Sequence, residues 1–130
     1  MSKTSTLLMF EGRAEEAMNL YVSLVKNSEI ISLSKYGPGI PGTDNFVKQA
    51  VFTLAGTEYK CIDSPIKHGF SFTPSTSIFV DCDDEQELIA LFDELSKDGS
   101  ILMPVSTYPF AKKFAWLIDR FGVSWQLSLA

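Results

Sequence analysis

The sequence predicts a single α+β domain of 130 residues built from two similar βαβββ halves, and three observations carry the prediction. Two amphipathic helical stripes recur at a fixed spacing. Each stripe sits in the same order of elements: strand, helix, strand, hairpin. The closing hairpins carry corresponding turn glycines, Gly56 and Gly122. The first half covers about 5–64, a connector 65–75, and the second half about 76–130.

Thr6 to Phe10 is a short apolar run, the signature of a buried strand. Glu11-Gly12-Arg13 then opens a helix whose apolar positions Ala17, Leu20, Tyr21 and Leu24 form an i, i+3, i+4, i+7 stripe, and Asn27-Ser28 ends it. Ile30 to Ser34 reads as a strand. A Gly/Pro loop from Tyr36 to Gly42 follows, with the character of a lid. Phe46 to Leu54 and Tyr59 to Ile62 read as a hairpin turning at Ala55-Gly56-Thr57.

Ser77 to Asp81 opens the second half as a strand, and Asp83 is the expected N-cap, with Asp84, Glu85 and Glu87 in the positive first turn. The second stripe is Leu88, Leu91, Phe92 and Leu95, and Gly99 is the expected stop. Subtracting 71 from these four positions returns 17, 20, 21 and 24, and Ile101 falls on Ile30. At an offset of 66, Gly122 falls on Gly56 and Trp125 on Tyr59. A lone βαβββ unit leaves one sheet face bare. Two units therefore meet side by side, or exchange across a dimer, as a curved mixed sheet around a cleft, where a ligand belongs.

Composition narrows the function. Hydrophobic residues make up 45% and charged residues 21%, which suits a globular core rather than disorder. The net charge of −5, without a basic cluster beyond Lys112-Lys113, would repel a phosphate backbone, so nucleic acid is not an expected partner. Eight of the sixteen acids lie between Asp81 and Asp98, which reads as one solvated acidic helix. No apolar run reaches the roughly 18 residues of a membrane span, and Met1-Ser2-Lys3-Thr4 leads directly into a strand; the expected location is cytoplasmic and off the membrane. Cys61 and Cys82 have no CxxC spacing and read as reduced, half-buried thiols. A lowered pKa for Cys61 beside Lys60 is the competing, reactive reading.

The connector is the most distinctive stretch. His68, the sole histidine, is either a general base oriented by Asp63, a ligand contact, or a partly exposed loop residue. Phe70 and Phe72, two apart, share a side if extended and either wall a ligand or pack a core. Ser64 lacks the GxSxG context of a nucleophile elbow. On the last strand Ser124, Gln126 and Ser128 take the face opposite Trp125, Leu127 and Leu129, a polar face that looks either into the cleft, making Gln126 a ligand contact, or into water.

The segments Phe10-Glu11-Gly12-Arg13-Ala14-Glu15-Glu16-Ala17, Cys61-Ile62-Asp63-Ser64, Leu102-Met103-Pro104 and Asp119-Arg120-Phe121-Gly122-Val123-Ser124-Trp125-Gln126 resemble the PhnB-like family. Its members are often described as 3-demethylubiquinone-9 3-methyltransferase-like, within the vicinal-oxygen-chelate (glyoxalase/bleomycin resistance/dioxygenase) superfamily. The resemblance spans nearly the whole chain and implies that superfamily's fold, usually as a homodimer. Methyl transfer does not follow from it. The usual S-adenosylmethionine site needs a parallel sheet with a Gly-rich turn into a helix, whereas Gly37 to Gly42 contains two prolines and leads to a strand.

Metal-dependent relatives place His, Gln or Glu ligands on four strands. The matching positions here fall near Ser5, Lys60, Ser77 and Gln126, a set without a strong ligand, so no bound metal and no cofactor is expected. The preferred reading is a PhnB-like homodimer that binds a small apolar or aromatic molecule through Tyr36, Asp63, His68, Phe70, Phe72, Tyr108, Trp116 and Gln126. The alternative is a metal-dependent lyase, isomerase or dioxygenase with ligands displaced from this register.

Overall fold

The computed structural model describes residues 1–39 and 43–130. Ile40, Pro41 and Gly42, the last three residues of the loop read as a lid, lie outside the described residues. The chain divides into two compact units, Met1–His68 and Gly69–Ala130.

The first unit runs β1 (Thr6–Phe10), α1 (Ala14–Leu24), β2 (Glu29–Lys35), β3 (Val47–Leu54) and β4 (Thr57–Asp63), forming a mixed sheet of order β1-β4-β3-β2. The second runs β5 (Ser77–Asp81), α2 (Glu85–Leu95), β6 (Ser100–Tyr108), β7 (Ala111–Ile118) and β8 (Ser124–Leu129), with order β5-β8-β7-β6. In both, the first strand pairs parallel to the last and the remaining pairs are antiparallel. This is the predicted α+β architecture of repeated βαβββ modules.

The two helices begin 71 residues apart, at Ala14 and Glu85 (85 − 14 = 71). The same interval separates Asn27 and Asp98, which both take a left-handed backbone after their helices, at φ 56° and 58°. Asn and Asp tolerate that conformation better than other residues with a Cβ, so the duplication reaches the details of the helix exit. Gly56 and Gly122 turn their hairpins at φ 86° and 94°.

Three local expectations needed correction. Helix α2 is capped by Asp84, not Asp83: Asp84 Oδ1 accepts from Glu87 N at 2.8 Å, while Glu87 Oε1 accepts from Asp83 N at 2.7 Å. In α1 the buried face is Ala14, Ala17, Met18 and Tyr21, with Leu20 and Leu24 only half-buried. A wide apolar face let the helix settle with Met18 rather than Leu20 at its centre. Gly99 is a glycine for space instead of as a helix stop, because a Cβ there would lie 2.1 Å from the Ile118 carbonyl oxygen.

Each helix covers one face of its own sheet. In the second unit Ile78, Ala115, Leu117, Trp125 and Leu127 are buried on the face alternating with Phe79, Trp116 and Gln126. Trp125 also donates its indole N–H to Asp119 Oδ2 at 2.9 Å. The Asp119 Oδ1 atom accepts from Phe121 N and Val123 N, fixing the β7–β8 turn. Much of the distinctive Asp119–Gln126 segment is thus turn and core chemistry.

Candidate functional site

The face of the second sheet that looks away from α2 carries a polar network. Strand pairing brings Phe79, Gln126, Trp116 and Met103 into one row across β5, β8, β7 and β6. Ser77 and Ser124 form the neighbouring pair, with their hydroxyl oxygens 2.6 Å apart. Trp116 donates its indole N–H to Ser124 Oγ at 2.8 Å, and Gln126 donates Nε2–H to Ser77 Oγ at 3.2 Å. Ser124 is buried, Trp116 and Gln126 are half-buried, and Phe79 is 52% exposed. The hydroxyls lock the indole and the amide in place, leaving Trp116 and Gln126 partly accessible beside exposed Phe79. Such a surface can stack a flat apolar molecule and hydrogen-bond its polar edge.

Of the predicted residues, this network includes Trp116 and Gln126. It also includes Ser124, which the sequence reading set on the polar face of Gln126 without a role of its own, and Ser77, which it considered only as a poor metal ligand. Parallel pairing of β5 with β8 brings Ser77 beside Ser124 although they are 47 residues apart, a proximity no local pattern reveals.

The donor chemistry does not suit a divalent ion. Two hydroxyls, an amide and an indole include no imidazole or carboxylate. Lys60, on the first unit's β4, carries an ammonium. Among the described residues, no three His, Cys, Asp or Glu side chains group as a metal site.

At the end of β4, Asp63 meets backbone donors and not the His68 ring, which the general-base reading of His68 would have needed. Asp63 is buried, and its Oδ1 accepts from Gly12 N at 2.7 Å and Ala14 N at 3.0 Å. Its Oδ2 accepts from Val47 N at 2.9 Å. A single carboxylate thus joins the end of β4, the start of α1 and the start of β3, where the helix N-terminus favours negative charge. The half-buried His68 ring meets Ser64 instead, with Nε2 2.9 Å from Oγ, and its backbone N–H donates to Glu11 Oε2 at 3.3 Å. Ser64 Oγ also accepts from Ile66 N at 3.2 Å, the geometry of a serine turn.

Of the other aromatic candidates, Phe72, Tyr108 and Tyr36 make local contacts within their own units. Phe70 is 65% exposed, and Phe72 packs at the β7–β8 turn, its Cδ2 3.7 Å from where a Gly122 Cβ would lie. Tyr108 stacks on Phe110 with centroids 5.7 Å apart, meets Phe114 edge-on, and donates its hydroxyl to Pro104 O at 2.8 Å. Tyr36 is exposed at the end of β2, with its N–H donating to Phe46 O. The reactive reading of Cys61 is overturned: burial pushes its thiol up to about 12 and the charge of Asp63 adds to that. Strand alternation also sends Lys60 to the opposite face. Burial likewise raises the Cys82 thiol to about 12, with Glu87 contributing.

The model of the family described as 3-demethylubiquinone-9 3-methyltransferase matches residues 2–128. No curated protein matches the chain. Among solved structures, the PhnB protein from Bacillus cereus is 54% identical, over 99% of this chain and 100% of that one, with a TM-score of 0.95. A Pseudomonas aeruginosa protein is 22% identical over 99% and 98% of the chains, with a TM-score of 0.82. A glyoxylase/bleomycin resistance protein/dioxygenase domain from Frankia is 14% identical over 100% and 93%, with a TM-score of 0.63. The last two likenesses concern the fold alone.

Proposed function

Because this chain belongs to the family described as 3-demethylubiquinone-9 3-methyltransferase and has a glyoxalase/bleomycin resistance fold, we propose that it is a binding protein for a small aromatic molecule. In this reading binding needs no catalytic metal and no methyl group is transferred. The observation that carries it is the Trp116–Ser124–Ser77–Gln126 network beside exposed Phe79. Two hydroxyls hold an indole and an amide that have no other evident task in the fold. The mixed sheets, each with antiparallel pairs, also argue against the parallel sheet on which S-adenosylmethionine is usually held. A homodimer, the usual state in the family, is part of the proposal.

The test is a thermal-shift and NMR titration of the protein with small aromatic compounds, in chelator and again with added divalent ions. The indole N–H resonance of half-buried Trp116 should move, and the melting temperature should rise equally in both conditions. Binding that appears only with a stoichiometric divalent ion would replace this reading with that of a metal-dependent enzyme.

A further inference from the structure

The direction of the hydrogen bonds around Gln126 constrains which aromatic molecules the site selects, an inference that rests on the binding reading above. An indole N–H can only donate, so Ser124 Oγ accepts from Trp116. The Ser77 hydroxyl lies 2.6 Å from Ser124 Oγ and 3.5 Å from Pro74 O, and its oxygen receives Nε2–H of Gln126. If Ser124 donates to Ser77 and Ser77 to Pro74, every proton of the two hydroxyls has an acceptor. The amide nitrogen is then engaged at Ser77, and Gln126, paired across to Trp116, is left with Oε1 as an acceptor. On the same face, two residues beyond Phe79, stands the exposed carboxylate of Asp81, paired across to Ser128.

We propose that this surface selects neutral aromatic molecules carrying an N–H or O–H donor on the ring edge, over donor-free isosteres and over aromatic carboxylates. The ring stacks at Trp116 and Phe79, and its edge donates to Gln126 Oε1. A carboxylate brings no donor for that oxygen and meets the negative charge of Asp81. One neutral hydrogen bond of ordinary net worth corresponds to about a fivefold preference.

Indole, benzofuran and benzoate test this, titrated into the full chain and read on the Trp116 indole N–H resonance. Indole and benzofuran share a shape and differ in the donor. Indole should bind about fivefold more tightly than benzofuran, with benzoate weakest. Gln126→Leu should bring indole and benzofuran to equal affinity, whereas Gln126→Glu, which keeps an acceptor, should retain the indole advantage. Ser77→Ala frees the amide to turn and should reduce the preference. Equal binding of indole and benzofuran, or an indole advantage that survives Gln126→Leu, overturns the donor preference while leaving the binding reading intact. Absence of any shift with both compounds overturns the two together.

Discussion

Replacing Asp63 distinguishes a residue that builds the fold from one that contacts a ligand. In Asp63→Ala, the N–H groups of Gly12, Ala14 and Val47 lose their acceptor at once. Ala14 and Val47 are fully buried, so water cannot readily replace the carboxylate there. Each stranded buried donor costs about 1–3 kcal/mol, whereas the donor of exposed Gly12 costs little. The two buried donors together cost about 2–6 kcal/mol and the cavity left by the side chain adds to that, so the loss should be at least about 3 kcal/mol, a large share of the roughly 5–15 kcal/mol of a typical domain. Asp63→Asn keeps Oδ1 for Gly12 and Ala14 but turns an NH2 group toward Val47 N, and should cost about 2–3 kcal/mol. Urea denaturation gives the totals, and amide exchange at Ala14 and Val47 locates the loss. Under conditions where Asp63→Asn is folded, its indole affinity should equal that of the wild type. A loss below about 1 kcal/mol for the alanine variant, or intact stability with weakened ligand binding, would refute the structural role.

Three further outcomes follow from the geometry. Gly99→Ala should destabilise by more than about 2 kcal/mol in chemical denaturation, because its Cβ would lie 2.1 Å from Ile118 O and backbone must move to accommodate it. The raised thiols of Cys61 and Cys82 should resist alkylation in the native protein and react quickly once it is unfolded. Their folded pKa values of about 12 exceed the ordinary 9.0, so their contribution to stability is complete below pH 9 and fades as the pH rises toward 12; Cys61→Ala should flatten that decline in the urea midpoint. Asp84→Ala should cost about 1 kcal/mol by removing the cap of α2. The corresponding Asp83→Ala should cost less, since Asp83 enters this cap through its backbone N–H.

The order of elements, the sheet class and the duplication were legible in the sequence because they rest on local periodicity and turn chemistry. The apolar run of β1, the stripe Leu88, Leu91, Leu95 and the paired turn glycines act over a few residues each, and a pattern shows them. Tertiary structure decided the rest. Asp63 looked like a site residue because it is a carboxylate in a distinctive motif, but its role is fixed by donors 16, 49 and 51 residues away. Gly99 looked like a helix stop until Ile118 was seen beside it. Ser124 was one serine of a polar strand face, and its role came from parallel pairing that set it against Ser77 and from β7, which brought the Trp116 indole N–H to it. Hydrogen-bond partners and close approaches depend on strand register between distant segments, which the alternation of single strands does not specify.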